Sequence, residues 1–198
     1  MKTNGTVDYK KLYDLTCLVT PLQDDCGQLC GSVCCREDRE DSLGVYLFPG
    51  EETLFTGKED WLRWEKRHPQ EDDFPSSWKS PVYFIRCTRA CPREQRPLGC
   101  RFFPLTPHLL KDHTLLLIHE TMALPYTCPL IEKRTPLRKD FIETVALSWQ
   151  ELLKDPRILD LVRMDSRERE KEGHRPSIVW WGEPVGPVNV PLARPKRR

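Results

Sequence analysis

CGQLCGSVCC, residues 26 to 35, puts Cys26, Cys30, Cys34 and Cys35 into ten positions, two of them followed by glycine and the last two adjacent. Downstream, RCTRACPREQRPLGCRFFP (86 to 104) carries Cys87, Cys91 and Cys100; Cys128 follows alone and Cys17 precedes both groups. The two groups read as halves of a metal site. A regular helix cannot bring the first group to one ion. Four-residue spacing stacks Cys26, Cys30 and Cys34 on one helix face, yet the first and third then lie about 12 Å apart along the axis. A zinc ion with Zn–S bonds of about 2.3 Å cannot take both. The stretch therefore reads as a loop with at most one helical turn, or its cysteines serve different metals, or a larger iron–sulfur cluster sits there. Gly27 and Gly31 favour the loop, because glycine lets backbone N–H groups turn towards sulfur.

That reading sets the fold class. It is a small α+β protein of short strands and irregular, metal-stapled loops, with a C-terminal helical extension. Residues 1–135 form the cysteine-cluster domain, 136–175 a helical extension packed on it, and 176–198 a docking strand and basic tail. Composition agrees. The 198 residues suit one domain or one with an extension. The apolar share of 38% is low and the charged share of 31% is high for a globular chain, so the core is modest and the cysteines help to close it. The 18 prolines favour loops.

Charge and hydropathy exclude some partners. A net charge of +1 gives no field aimed at nucleic acid or an anionic membrane. No window reaches the roughly 18 apolar residues of a membrane span. Asp8, Lys10, Lys11 and Asp14 interrupt the N-terminal stretch, which does not read as a signal peptide. Nine cysteines are an odd set, and a pure disulfide framework leaves one thiol over. The expected compartment is the cytoplasm, where clustered cysteines bind metal or do redox work.

Working outward from the cysteines, residues 7–22 are amphipathic, strand or short helix. GVYLF (44–48) reads as a strand and PGEE (49–52) as a turn. DWLRWEKR (60–67) reads as a helical turn, with Trp61 and Trp64 at helical spacing. VYFIR (82–86) is a strand delivering Cys87, and TLLLIH (114–119) is another. The last third is helical: Ile142, Val145, Ala146, Trp149, Leu152 and Leu153 make one stripe. Asp155 and Pro156 are N-cap and first-turn proline of a further helix, which ends in DSREREKEG. SIVWWG (177–182) docks back as a strand, and ARPKRR is a basic tail.

Thiolate is the ligand form of cysteine, and cations nearby stabilise it. Arg86, Arg89, Arg93, Arg96 and Arg101 surround the second group against a single acid, Glu94. His108, His113 and His119 lie between Cys100 and Cys128; His119, at a strand end, is the best alternative ligand of the three.

Cys30, Gly31, Cys34 and Cys35, followed by Cys91, Arg96, Pro97, Cys100, Arg101 and Pro104, resemble the YkgJ-type cysteine-cluster family, named for a zinc- or iron-chelating domain. RPLGCRFFP matches its second half closely. The first half departs, because Gly31, Ser32 and Val33 separate Cys30 from the Cys34-Cys35 pair where the family more often has two residues. The resemblance covers roughly residues 26 to 104, with Cys128 completing it. It implies metal binding and assigns no reaction; distant relatives include the flagellin lysine N-methylases.

The expected ligand pool is Cys26, Cys30, Cys34, Cys35, Cys87, Cys91, Cys100 and Cys128, with Cys17 left over. Eight thiolates fill two four-coordinate sites, or one cluster with redox thiols besides. Arg96 and Arg101 are expected to neutralise charge or donate to sulfur, and Pro97 and Pro104 to stiffen the loop. The expected cofactor is zinc or an iron–sulfur cluster, since cysteine-only ligation suits both. Two alternatives stand beside a plain metal-binding protein. One is an iron–sulfur-dependent group-transfer enzyme, although there is no G-x-G-x-x-G or P-loop motif and Cys26, Cys30 and Cys34 are too widely spaced for a radical-SAM site. The other is a thiol-redox or metal-handling protein. A protein partner on the C-terminal helices is a further expectation.

Overall fold

The structure is a computed structural model that describes residues 7–35, 44–173 and 175–185. The basic tail at 193–198 lies outside these residues. Among them the chain forms five α-helices and two three-stranded antiparallel sheets, an α+β fold.

The first sheet is built on β3 (Val82–Cys87), which lies between β1 (Val45–Tyr46) and β2 (Leu62–Arg67). Val45 faces Ile85, and β2 pairs along its whole length, from Leu62 opposite Cys87 to Arg67 opposite Val82. DWLRWEKR is thus a strand and not the expected helical turn. Eight residues make a marginal helix in isolation, whereas six in strand form satisfy the open edge of β3 and set Trp64 opposite Ile85. Leu47, Trp61, Leu62 and Ile85 bury together beneath this sheet, with Cys87 and Cys91 packed against them.

The second sheet runs β4 (Leu105–Leu109), β5 (Thr114–His119), β6 (Ile178–Pro184), with β5 central and wholly buried. The TLLLIH strand and the SIVWWG clip are both here, Trp180 facing Leu117. β4 was not expected, since LTPHL contains Pro107, which cannot donate to a ladder. Such a residue is confined to edge strands, and β4 is an edge paired only to β5.

α1 (Tyr9–Thr16) starts at Asp8, whose carboxylate accepts from Lys11 N at 3.0 Å. α2 (Leu98–Phe102) carries Cys100, and α3 (Pro129–Glu132) starts just after Cys128. α4 (Lys139–Leu152) buries Phe141, Val145, Ala146, Trp149 and Leu152, while Ile142 of the expected stripe is only half-buried. α5 (Pro156–Lys171) is capped by Asp155, which accepts from Arg157 N at 2.8 Å, and it runs on through the charged segment. α5 lies against β4, and its Ser166 hydroxyl accepts from Leu109 N. One core joins Leu12 of α1, Leu98 and Phe102 of α2, Leu105, Leu115 and Leu117 of the second sheet, and Phe141, Leu152 and Ile158 of α4 and α5. No helix among the described residues is long and apolar enough to cross a membrane.

Candidate thiolate site

The first cysteine group is two short 3-10 turns, Cys26–Leu29 and Val33–Cys35, and not a continuous helix. Asp25 caps the first, accepting from Gly27 N at 3.0 Å. The chain then passes through left-handed backbone at Gly31 (φ 63°) and Ser32 (φ 54°), which breaks any helical stacking of the cysteines. Cys34 and Cys35 end the second turn with their sulfurs 3.8 Å apart.

The second group is set by β3 and α2. Cys87 closes β3 opposite Leu62, Cys91 follows in the loop, and Cys100 sits on α2. Two buried groups fix that loop. Glu51 is fully buried; it accepts from Leu98 N at 2.9 Å, from Phe48 N at 2.9 Å and from the Tyr13 hydroxyl at 2.8 Å. Arg101 donates to the carbonyls of Arg96 (2.6 Å), Glu94 (2.8 Å) and Tyr13 (3.0 Å) and to Thr16 Oγ1 (2.9 Å), and its guanidinium lies 4.1 Å from the Tyr13 ring centroid. Arg101 was expected to neutralise charge or donate to sulfur; it borders the thiol cavity, but its planar fork of donors closes backbone carbonyls instead of sulfur and fastens the Cys91–Cys100 loop to α1.

Arg96 is the cation among the thiols. It hydrogen-bonds Cys91, and its Nε is buried with no partner. Burial disfavours its charge, but the charges of Cys91, Cys35 and Cys100 reverse that effect and hold it protonated. The other arginines point elsewhere. Arg86 and Arg89 pair with Glu65 and Asp60, and Arg93 donates to the carbonyls of Cys17 and Val19.

Cys17, Cys26, Cys34, Cys35, Cys87, Cys91 and Cys100 all border one cavity of about 410 Å³, with Arg96 and Tyr126 in the same wall. Small-molecule sites span roughly 300–1,000 Å³. Cys100 is exposed, but to this cavity; protein surrounds it, and desolvation pushes its thiol up to about 12. A hydrogen bond from Cys87 lowers the Cys91 thiol, and Arg96 adds to that against the burial. Cys87 is raised correspondingly by its bond to Cys91. Cys34 and Cys35 behave alike, Cys35 lowered and Cys34 raised by the bond between them. Burial raises Cys26, and the charges of Cys30 and Cys128 add to it. Tyr126 is raised by burial and by Cys34, Cys128, Cys100 and Cys35. Cys30 and Cys128 do not border the cavity, although their charges bear on Cys26. Cys17, the expected leftover, borders the cavity as well, its thiol donating to Asp14 O at 3.1 Å.

All nine thiols are free. Among the described residues, no three His, Cys, Asp or Glu side chains stand close enough to hold a metal ion. His108, His113 and His119 do not border the cavity. Tyr126 and Glu51 were not anticipated. Tyr126 stands two residues before Cys128 and had that proximity as a signal, whereas Glu51 lay in what read as a plain turn. No family model, curated protein or solved structure matches this chain.

Proposed function

We propose that the chain is a cytoplasmic metal-binding protein whose two cysteine groups hold zinc or an iron–sulfur cluster, in keeping with its resemblance to YkgJ-type domains. The observation that carries this reading is Arg96, a half-buried cation whose Nε is buried and unpartnered, hydrogen-bonded to Cys91 and influenced by Cys35 and Cys100 from the other walls of the cavity. A lone guanidinium is costly to bury; opposite several thiolates it offsets the negative charge that four-sulfur ligation concentrates. The donor set fits either cofactor, because cysteine sulfur alone serves structural zinc and both common cluster types. Six of the eight expected ligands, Cys26, Cys34, Cys35, Cys87, Cys91 and Cys100, border the one cavity, which supports a shared site. When bound, the metal adds folding free energy, on the order of 10–16 kcal/mol for structural zinc.

The test is elemental analysis and a visible spectrum of protein purified without oxygen. Iron with acid-labile sulfide, or stoichiometric zinc in a colourless sample, is the expected result. Protein free of both that is folded and refuses added metal overturns the reading. A second reading, thiol redox or metal transfer, is favoured by the 3.8 Å contact of Cys34 and Cys35 and by the Cys87–Cys91 thiol pair. Rapid, reversible loss of metal to a mild chelator distinguishes it from a structural centre.

A further inference from the structure

The β4–β5 turn and the outer face of α5 enclose a second cleft, of about 170 Å³, none of whose lining residues borders the thiol cavity. One water needs roughly 10–15 Å³ of such space, so a compact polyatomic ion fits with water to spare. Its walls carry Lys111 and His113 from the turn and Arg163, Arg167 and Glu170 from α5. Local hydrogen bonds close the turn: His113 N donates to Leu110 O at 2.9 Å, Asp112 accepts from Thr114 N at 3.0 Å, and His113 adopts φ 69°.

Three cations line this cleft, with the Glu170 carboxylate in the same wall. Among the described residues, no carboxylate oxygen lies within ion-pair distance of Lys111, Arg163 or Arg167. Arg169 on the same helix differs, with its donors taken by Thr121 Oγ1, Pro107 O and Thr106 Oγ1. Arg163 is held in place through Nη2, 3.1 Å from His113 Nδ1, while its Nε is buried with no partner. A guanidinium can only donate, so Nδ1 of His113 is the acceptor. The ring is then the neutral tautomer with its proton on Nε2, one further donor.

We infer that this cleft is a phosphate site, in which Arg163, Lys111 and Arg167 take the charged oxygens and Glu170 accepts a hydrogen bond from the remaining P–OH. Arginine matches the oxyanion with paired N–H donors, and lysine adds a point charge. Glu170 supplies the selectivity. An ionised carboxylate only accepts, so it favours an oxyanion that keeps a hydroxyl at neutral pH. Phosphate keeps one and sulfate does not.

The test is calorimetric titration of the full chain, as purified, with inorganic phosphate and separately with sulfate, at low ionic strength and pH 7. Expected are one phosphate per chain with a Kd on the order of 1 mM or tighter, and sulfate weaker. Lys111→Gln and Arg167→Gln, both at exposed positions, each weaken phosphate about tenfold, the scale of one charge-assisted hydrogen bond. Glu170→Gln brings sulfate level with phosphate. Absence of saturation at tens of millimolar overturns the proposal, as does phosphate affinity unchanged in both exposed-site variants, or sulfate binding equal to phosphate in the parent chain. Because these residues lie outside the thiol cavity, the outcome is independent of which metal, if any, the cysteines hold.

Discussion

Glu51 and Arg101 are the two buried charges that position the second cysteine group, and each has a measurable signature. Burial raises the Glu51 carboxyl above its ordinary value of 4.5, although three hydrogen bonds pull it down. The unfolded chain therefore releases this proton first. The contribution of Glu51 to stability is full below about pH 4.5 and is lost as pH rises towards the folded value. Glu51→Gln does not titrate, so in urea unfolding the variant should gain on the parent between pH 4.5 and 7; a constant gap would show that Glu51 ionises normally. Arg101→Lys keeps the charge and loses the fork. With several buried carbonyls left short of donors, a loss of about 2–4 kcal/mol is expected by the same unfolding measurement. Arg101 and Arg96 were indistinguishable by spacing, since both flank Cys100 in a cationic segment. What separates them is where α1 lies, and Tyr13 and Thr16 enter that contact from far up the chain.

At the scale of elements, α2 and β1 meet at a glycine. A Cβ on Gly99 would come within 2.8 Å of Val45 Cγ2, so Gly99 lets the helix that carries Cys100 close onto the first sheet. Gly99→Ala should cost about 1–2 kcal/mol by overpacking. Val45→Ala in that background should recover most of it, and a double-mutant cycle in denaturant with no coupling between the two would refute the contact. Elements whose pattern is local were legible: the α4 stripe, the Asp155–Pro156 start of α5, and the β3 and β5 runs. β2 was not, because Trp61 and Trp64 stand at helical spacing and only pairing with β3 makes the segment a strand. β4 was hidden by Pro107, which is tolerated because one side of that strand has no ladder to complete. The cysteine spacing correctly argued against a continuous helix, but it carries no sign that Cys34 faces Cys35 or that Cys87 faces Cys91.

For the whole molecule, the core is shared from α1 to α5. Phe141, Val145, Trp149, Leu152, Ile158 and Leu159 complete a cluster begun by Leu12, Phe102 and Leu117. A chain ending at residue 135 leaves those partners exposed and should lack near-ultraviolet circular dichroism and dispersed amide resonances; a dispersed spectrum from that fragment would show a self-sufficient N-terminal unit. The register of β1 on β3 carries a last consequence. Val45, shortly after the first cysteine group, faces Ile85, two residues before Cys87. Sheet formation thereby tethers the two groups, and the second set of thiols meets the first at an effective concentration that short tethers place in the millimolar range. A metal captured by one group thus meets the other as an intramolecular partner, and the affinity of the pair exceeds that of either cysteine segment excised as a peptide.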